Sequence, residues 1–356
     1  MDSIGIPRVG FLPAGPRDAI TDVPGVRVGH HTLAEGPVQT GVTVILPPGE
    51  PYLKKPVAAC TVLNGFGKSA GLVQLAELGC LETPIALTNT FSVGTVCTAQ
   101  IREAIAKHSD IGRDWPTVNP LVLECNDGFL NDIQALAVTE EHYRAAMSSA
   151  SDEFAQGSVG AGRGMTCFQV KGGIGSASRT AEGYTVGVLV LANFGKPEQC
   201  LLAGEPVGRR LKARLDRDSR KRAAAASGIR RVAFNEAEKG SIIMVLATNA
   251  PLDALQLGRL GKRCGNGLAR TGSVYGHGSG DIVVAFTTAN RVVWPEPTGP
   301  APCTRLPDTR LDGLFQAAAD ATEQAIWHAL FRAERVTGRD GNTRMTLVEA
   351  LEETAD

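Results

Sequence analysis

Hydrophobic residues recur along this chain in two patterns, short β-type runs and longer stretches with helical spacing. Apolar positions at i, i+3 and i+4 indicate amphipathic helices, whereas short continuous or alternating apolar runs indicate strands. The β-type runs cover residues 26–28, 41–46, 57–63, 84–88, 120–124, 165–171, 184–192, 241–248 and 281–287. Helical spacing covers residues 68–78, 93–107, 139–149, 252–271, 311–336 and 345–353. The mixture predicts one α+β domain over residues 1–356, with glycine-punctuated strands that pair antiparallel through tight turns.

One long stretch, residues 196–240, lacks a strong apolar pattern, and we predict that it is a mobile linker. The whole chain has a formal net charge of -1, yet its segment 209–231 holds ten basic and two acidic residues. Because aromatic residues do not interleave this basic segment, we interpret it as a solvated face and expect no nucleic-acid partner. The alternative is a non-catalytic binding protein that uses residues 209–231 to contact nucleic acid or an acidic partner.

Composition limits where the chain works and what it binds. The 41 Gly show no G-X-Y period, which excludes a collagen-like fibre. The longest apolar runs are about seven residues, against the roughly 20 that a membrane-spanning helix needs, so we expect no membrane partner. The first residues show neither the basic start nor the apolar core of a secretory signal, and the eight Cys form no C-x-x-C pair. We therefore expect a cytoplasmic protein and, because the six His show no ligand spacing, no metal.

A polar segment meets a strongly apolar strand at the Gly240–Ser241 bond. A loop entering a strand is the simpler interpretation of this junction, and self-cleavage is the sharper one. Cleavage would give Ser241 a free α-amine, whose reference pKa of about 7.7–8.0 lets it act as the base for its own hydroxyl. Glycine before the serine suits this reaction, because a residue without Cβ tolerates the strained conformation that exposes its carbonyl. The hypothesis needs no histidine.

Eight short motifs along nearly the whole chain point to one family. The first is residues 240–252, G-S-I-I-M-V-L-A-T-N-A-P-L. The other seven are residues 22–30, 64–67, 127–132, 157–164, 171–175, 192–195 and 337–341. In their order along the chain, these motifs resemble the DmpA-type L-aminopeptidase/D-esterase family, which also contains the β-peptidyl aminopeptidases. Residues 240–252 are similar to that family's self-processing junction.

The resemblance implies a four-layer α-β-β-α sandwich and a precursor that splits between Gly240 and Ser241, with Ser241 as the nucleophile. Asn193 matches the family's oxyanion-hole asparagine, whose amide donates to a developing negative oxygen. By local pattern alone, Asn193 also fits the end of a strand before a turn. Ser279 and Asp281 match the serine and the acidic residue that contact the nucleophile's hydroxyl and amine, although alone they fit a glycine-rich turn. The resemblance implies no cofactor.

The resemblance also indicates how a substrate is held. Glu124 falls where the family has a carboxylate that binds the substrate's free amino terminus. Asn126 stands at about the place where some members have a tyrosine that assists the oxyanion hole, so Asn126 either donates instead or marks a missing contact. The expected substrates are small peptides, amides or esters with a free amine, and the expected assembly is a homo-oligomer, a tetramer of processed heterodimers. The related ornithine acetyltransferases are the alternative enzyme class, but they expose Thr where this chain has Ser241.

Overall fold

The computed structural model describes residues 5–225 and 240–352. The strands are β1 (Arg27–Glu35), β2 (Val38–Leu46), β3 (Lys54–Gly65), β4 (Ile85–Asn89), β5 (Leu121–Cys125), β6 (Thr166–Cys167), β7 (Val170–Lys171), β8 (Gly173–Ala181), β9 (Tyr184–Asn193), β10 (Ser241–Thr248), β11 (Gly280–Val293), β12 (Val336–Thr337) and β13 (Thr343–Arg344). The α-helices are α1 (Leu72–Leu78), α2 (Val93–Lys107), α3 (Glu140–Ser148), α4 (Gly208–Ala225), α5 (Ala254–Arg270), α6 (Asp312–Phe331) and α7 (Leu347–Glu352). Over the described ranges, no helix has both the length and the apolar character to cross a membrane.

Two sheets form the centre of the fold. One has four strands in the order β1-β2-β4-β5, and the other has five in the order β3-β11-β10-β9-β8. The central strand of the second sheet is β10, which runs antiparallel to β9 and parallel to β11. A parallel pair needs a long crossover connection, and α5 lies within it. The starts of β10 and β11 therefore lie side by side at one edge of the sheet.

The side chains of β10 alternate between the two faces of its sheet and reveal the stacking of the layers. Ile242, Met244 and Leu246 belong to a buried apolar cluster that includes residues of α5 and α6. Ile243 and Val245 point the other way, into a cluster shared with the four-stranded sheet. A third cluster joins the outer face of the four-stranded sheet to α2 and α3. The four-layer α-β-β-α arrangement is confirmed, and each fully buried large apolar side chain stabilises it by about 1.5–3 kcal/mol.

Most of the predicted elements are present, with two differences outside the linker. The predicted single strand over residues 165–171 is wrong, because Phe168 and Gln169 adopt positive φ values of 50° and 60° and reverse the chain between β6 and β7. No strand was predicted at β8, yet most of the glycine-rich residues 172–175 start it. Glycine weakens a strand without forbidding one when neighbouring backbone packs closely.

The structure corrects the predicted linker over residues 196–240. The helix α4 occupies much of its first part, and Val207 and Leu211 are buried in the core cluster beneath α5 and α6. Leu215, one helical turn further on, also packs against that cluster. Apolar residues spaced by four are enough to anchor a helix whose other positions are charged. The remaining linker residues, 226–239, lie outside the described residues, as does the short apolar run at 231–234.

Candidate active site

Ser241 is the first residue of β10 and lies between two neighbouring strand ends. It pairs with Asn193 at the end of β9 and with Gly280 at the start of β11. Its side chain is buried, and its hydroxyl donates to the carbonyl oxygen of Gly240 at 2.7 Å. The backbone N–H of Gly280 donates to the same Oγ at 3.2 Å. The hydroxyl is therefore held against the peptide bond that joins it to the preceding residue.

Gly280, the first residue of β11, packs closely against the backbone that follows β3, and a side chain at this position would collide with it. A Cβ built there would lie 2.8 Å from the carbonyl oxygen of Phe66. The Asn64 side-chain amide donates to the carbonyl oxygen of Ser279 and, at 3.2 Å, to that of Gly276. Asn64 thus fixes the loop that precedes β11. Asn64 belongs to the motif at residues 64–67, and no role was predicted for it from the sequence.

Ser279 and Asp281 form a buried pair where β11 begins. The Ser279 hydroxyl donates to Asp281 Oδ1 at 2.8 Å. The residue between them, Gly280, is the one that donates to the hydroxyl of Ser241. The nearby His277 side chain is exposed, so it is not part of this buried pair. The structure therefore brings both predicted residues to the immediate neighbourhood of Ser241.

Asn193 ends β9, and both ends of its side-chain amide are held by backbone groups. Its Oδ1 accepts the N–H of Thr166 at 2.8 Å, and its Nδ2 donates to the carbonyl oxygen of Asn126 at 3.1 Å. An amide NH₂ group has two hydrogens, so one such bond uses half of its donor capacity. These two bonds fix the plane of the amide next to Ser241. Sequence reasoning did not identify Thr166, because its contribution is a backbone N–H.

Glu124 lies in β5 of the four-stranded sheet, yet its carboxylate approaches the start of β11. A Cβ on Gly67 would lie 3.6 Å from Glu124 Oε1 and 3.9 Å from the Cα of Gly280, so little more than Gly67 separates them. The backbone N–H of Lys68 donates to Oε1 at 2.8 Å, and the Thr90 hydroxyl donates to Oε2. The whole Glu124 residue is only 4% exposed, and its carboxylate accepts hydrogen bonds from two sides. Neither Lys68 nor Thr90 was predicted from the sequence.

Asn126 contributes to the site through its backbone rather than its side chain. Its side-chain Oδ1 accepts the N–H of Gly128 at 2.8 Å and so caps its own turn. The carbonyl oxygen of Asn126 is the acceptor for the Asn193 amide. Because this bond uses only the oxygen of the side-chain amide, both alternatives left by the sequence stay predictions.

The electrostatic surroundings of the site are acidic. Burial raises the pKa of the Cys125 thiol well above its usual value, and the negative charges of Glu124 and Asp281 raise it further. Burial also raises the pKa of Asp127 to about 7, against hydrogen bonds that favour its ionised form. Carboxyl groups concentrated around one strand end favour a positively charged ligand group there. Among the described residues, no set of three or more His, Cys, Asp or Glu side chains is grouped to hold a metal ion.

Comparison with known proteins identifies the family. The sequence profile described as peptidase family S58 matches residues 18–344. The chain belongs to peptidase family S58. This S58 chain is 40% identical over 364 aligned residues to the beta-peptidyl aminopeptidase BapA of Sphingosinicella microcystinivorans, with 98% of this chain and 89% of that protein covered.

Two solved structures share the fold of this S58 chain. The PH0078 protein from Pyrococcus horikoshii superposes with a TM-score of 0.87 at 46% identity, covering 98% of this chain and 96% of that one. The L-aminopeptidase D-ala-esterase/amidase from Ochrobactrum anthropi, described as a variant of the Ntn hydrolase fold, gives 0.84 at 32% identity, covering 98% and 95%. The predicted family, fold class and hydrolase class are confirmed, and the chain is an aminopeptidase of family S58.

Proposed function

We propose that this chain is a self-processing serine aminopeptidase, in which cleavage between Gly240 and Ser241 frees the catalytic nucleophile. One observation carries the proposal. The Ser241 hydroxyl lies 2.7 Å from the carbonyl oxygen of Gly240 at the start of a central buried strand. The hydroxyl is thus already in contact with the carbonyl group that it would attack, and such proximity is what an intramolecular reaction uses.

Self-cleavage proceeds in two steps, an acyl shift and a hydrolysis. Ser241 Oγ attacks the carbonyl carbon of Gly240, a C–O bond forms, the C–N bond breaks, and the hydroxyl proton ends on the Ser241 nitrogen. Water then hydrolyses the resulting ester, which leaves a carboxylate on Gly240 and restores the hydroxyl. The products are chains of residues 1–240 and 241–356. The Gly280 N–H that contacts Oγ supports this step, because a donor at that oxygen stabilises its position beside the scissile bond.

Turnover then uses the amine that cleavage created. The neutral α-amine of Ser241 takes the proton of its own hydroxyl as Oγ attacks the substrate carbonyl. Asn193 donates to the oxyanion, the protonated amine gives its proton to the leaving group, and water hydrolyses the acyl-enzyme. The reference pKa of a free α-amine is about 7.7–8.0, and the amine acts as a base only in its neutral form. Activity therefore rises with pH as the amine loses its proton.

Glu124 binds the ammonium group of the substrate. Its buried carboxylate is fixed by Lys68 and Thr90 and lies near the start of β11, which supports cleavage one residue from a free amino terminus. The substrates are short peptides, amides or esters with a free amine. Beta-amino acids at the first position are included, which the similarity to a beta-peptidyl aminopeptidase from Sphingosinicella and a beta-aminopeptidase from Burkholderia supports.

Two matched amides test the aminopeptidase proposal. We expect the β-alanine p-nitroanilide to be hydrolysed at least about 10-fold faster than its N-acetylated form, because acetylation removes the charge that Glu124 binds. Equal rates would show that hydrolysis requires neither a free amine on the substrate nor its binding by Glu124. Hydrolysis of neither amide by the cleaved protein would contradict the proposed activity.

The oligomer expected from the family resemblance stays a prediction. Val73 on α1 is 87% exposed and Leu255 on α5 is 71% exposed, and an assembly that covered them would remove apolar surface from water. Sedimentation analysis of the purified protein should show a species larger than one processed heterodimer. A single heterodimer at all concentrations would contradict the prediction.

A further inference from the structure

Lys171, the last residue of β7, is fully buried, which is rare for a side chain that water solvates strongly. Its Nζ donates to the carbonyl oxygens of Gly162 at 2.9 Å and Gly172 at 2.7 Å. Burial lowers the pKa of this amine well below its usual value. Both protonation states carry at least two hydrogens, so both can make these two bonds. The two carbonyls bound the segment of residues 162–172, here called the hairpin segment, and the amine closes this segment on itself.

The hairpin segment contains β6 and β7 and docks on the end of β9. The N–H of Thr166 donates to Asn193 Oδ1 at 2.8 Å. The N–H of Phe168 donates to the carbonyl oxygen of Phe194, also at 2.8 Å. The segment therefore holds both the side chain of Asn193 and the backbone that follows it. Any displacement of the segment moves the group that orients the amide.

Close backbone packing makes this docking rigid. A Cβ at Gly172 would lie 2.3 Å from the carbonyl oxygen of Ala192, and a Cβ at Gly195 would lie 2.4 Å from the ring of Phe168. Gly195 also has a φ of 88°, which other residues adopt reluctantly. The segment is thus seated directly against the residues on either side of Asn193, through the backbone at Gly172 and through the Phe168 ring at Gly195.

We propose that Lys171 is a positioning residue for the oxyanion site, which closes the hairpin segment and so fixes the Thr166 N–H that orients the Asn193 amide. This inference rests on the proposed function, because Lys171 acts only through the role of Asn193 in self-cleavage and turnover. It does not touch the substrate. Its removal lowers the rate of the chemical step and leaves substrate binding by Glu124 intact.

Arg179 is a matched control at the other end of the same sheet. It is also fully buried, and it pairs with Val186 where β8 and β9 turn, far from Asn193 along the strand. Its guanidinium donates to Asp18 and to the carbonyl oxygen of Val9, each at 2.9 Å. Arg179 thus ties the first described residues to the sheet and has no link to the hairpin segment.

The experiment compares Lys171→Met, Lys171→Gln and Arg179→Met, each as the full chain. We expect Lys171→Met to lower kcat and the self-cleavage rate by about 10- to 100-fold with KM within about twofold, since small misplacements at an active site have effects of that size. Lys171→Gln, which keeps two donor hydrogens, should recover part of the loss. Amide hydrogen exchange in residues 162–172 should become faster in Lys171→Met. Arg179→Met should lower the midpoint of thermal unfolding and leave kcat within about twofold.

Several results would overturn the inference. An unchanged kcat in Lys171→Met, a rise in KM instead of a fall in kcat, or unchanged exchange in the hairpin segment would each do so. Insoluble protein from both Lys171 variants, with soluble Arg179→Met, would assign Lys171 a purely structural role. A normal rate in Lys171→Met overturns this inference alone, whereas activity in Ser241→Ala would overturn the proposed function.

Discussion

The two ends of β10 carry similar buried polar residues and use them differently. At the far end, the Thr248 hydroxyl donates to the carbonyl oxygen of Thr185 at 2.8 Å and accepts the N–H of Ala250 at 3.1 Å. Asn249 accepts the N–H of Thr185 at 2.8 Å and joins the same two strand ends. At the near end, the hydroxyl of Ser241 contacts the carbonyl of its own preceding peptide bond.

The difference lies in how many elements meet at each end. The bonds around Thr248 join two adjacent strand ends and complete local turns. The groups around Ser241 come from β5, β9, β11 and the β6–β7 hairpin and gather at one residue. Burial therefore does not distinguish a structural hydroxyl from the proposed nucleophile, whereas convergence of fixed polar groups does, because a reactive site needs its groups held in place beforehand.

The largest effect should come from removing the hydroxyl at the near end. Ser241→Ala should remain a single uncut chain and lose activity by on the order of 10⁴-fold or more, because the nucleophile is gone. Thr248→Val, at the other end of the same strand, should be cleaved and active with a loss of only about 1 kcal/mol in stability. A denaturing gel and hydrolysis of β-alanine p-nitroanilide measure both variants. If Ser241→Ala were cleaved or active, Ser241 would not be the nucleophile, and the two ends of β10 would not differ in the way described.

A second pair compares two asparagines that each accept a backbone N–H through Oδ1. Asn193→Ala should lower kcat by about 10²- to 10³-fold, the usual effect of removing an oxyanion donor. Asn249→Ala should lower stability and leave kcat nearly unchanged, because its amide joins the end of β10 to the start of β9, far from Ser241. Steady-state kinetics and thermal unfolding distinguish the two. If both variants lost the same fraction of kcat, the loss in Asn193→Ala could be assigned to folding rather than to a missing oxyanion donor.

A third pair tests charge recognition with two buried glutamates. Glu124→Gln should raise KM by about 10- to 100-fold, because a charge-assisted bond to the substrate amine becomes a neutral one. Glu82 is also buried and accepts the backbone N–H of Asn119 at 2.8 Å, while pairing with Lys55 at 2.7 Å. Glu82→Gln should lower stability and leave KM unchanged. An unchanged KM in Glu124→Gln would contradict its role.

The smallest effect concerns the dependence of stability on pH. The folded pKa of Asp127, about 7, is above its unfolded value, so the folded state holds the proton more tightly. Stability is therefore greatest below the unfolded pKa of about 4 and falls as pH rises through 7, by roughly 2.5 kcal/mol between pH 5 and pH 8. Asp127→Asn should lack this fall. Urea unfolding at pH 5 and pH 8 measures the free energy of unfolding of both proteins. An equal change in the original chain and in Asp127→Asn would contradict the prediction.

The sequence predicted the strands and helices better than it predicted the contacts between them. The apolar run over residues 241–248 predicted β10, and resemblance identified the residues that the structure gathers around Ser241. Asn64 and Thr166 were given no role, because their bonds reach Ser279 and Asn193 across many residues and local periodicity carries no such information. The helix α4 was missed because a few anchoring apolar residues stand among many charges. The burial of Lys171 runs against the usual location of lysine and could be found only in three dimensions.

The most direct test of the central claim is intact mass spectrometry of the freshly purified full chain, followed by N-terminal sequencing. We predict two chains, residues 1–240 and 241–356, with the second beginning Ser-Ile-Ile-Met. A single uncut chain that hydrolyses β-alanine p-nitroanilide at full rate would contradict a mechanism that depends on the free amine of Ser241.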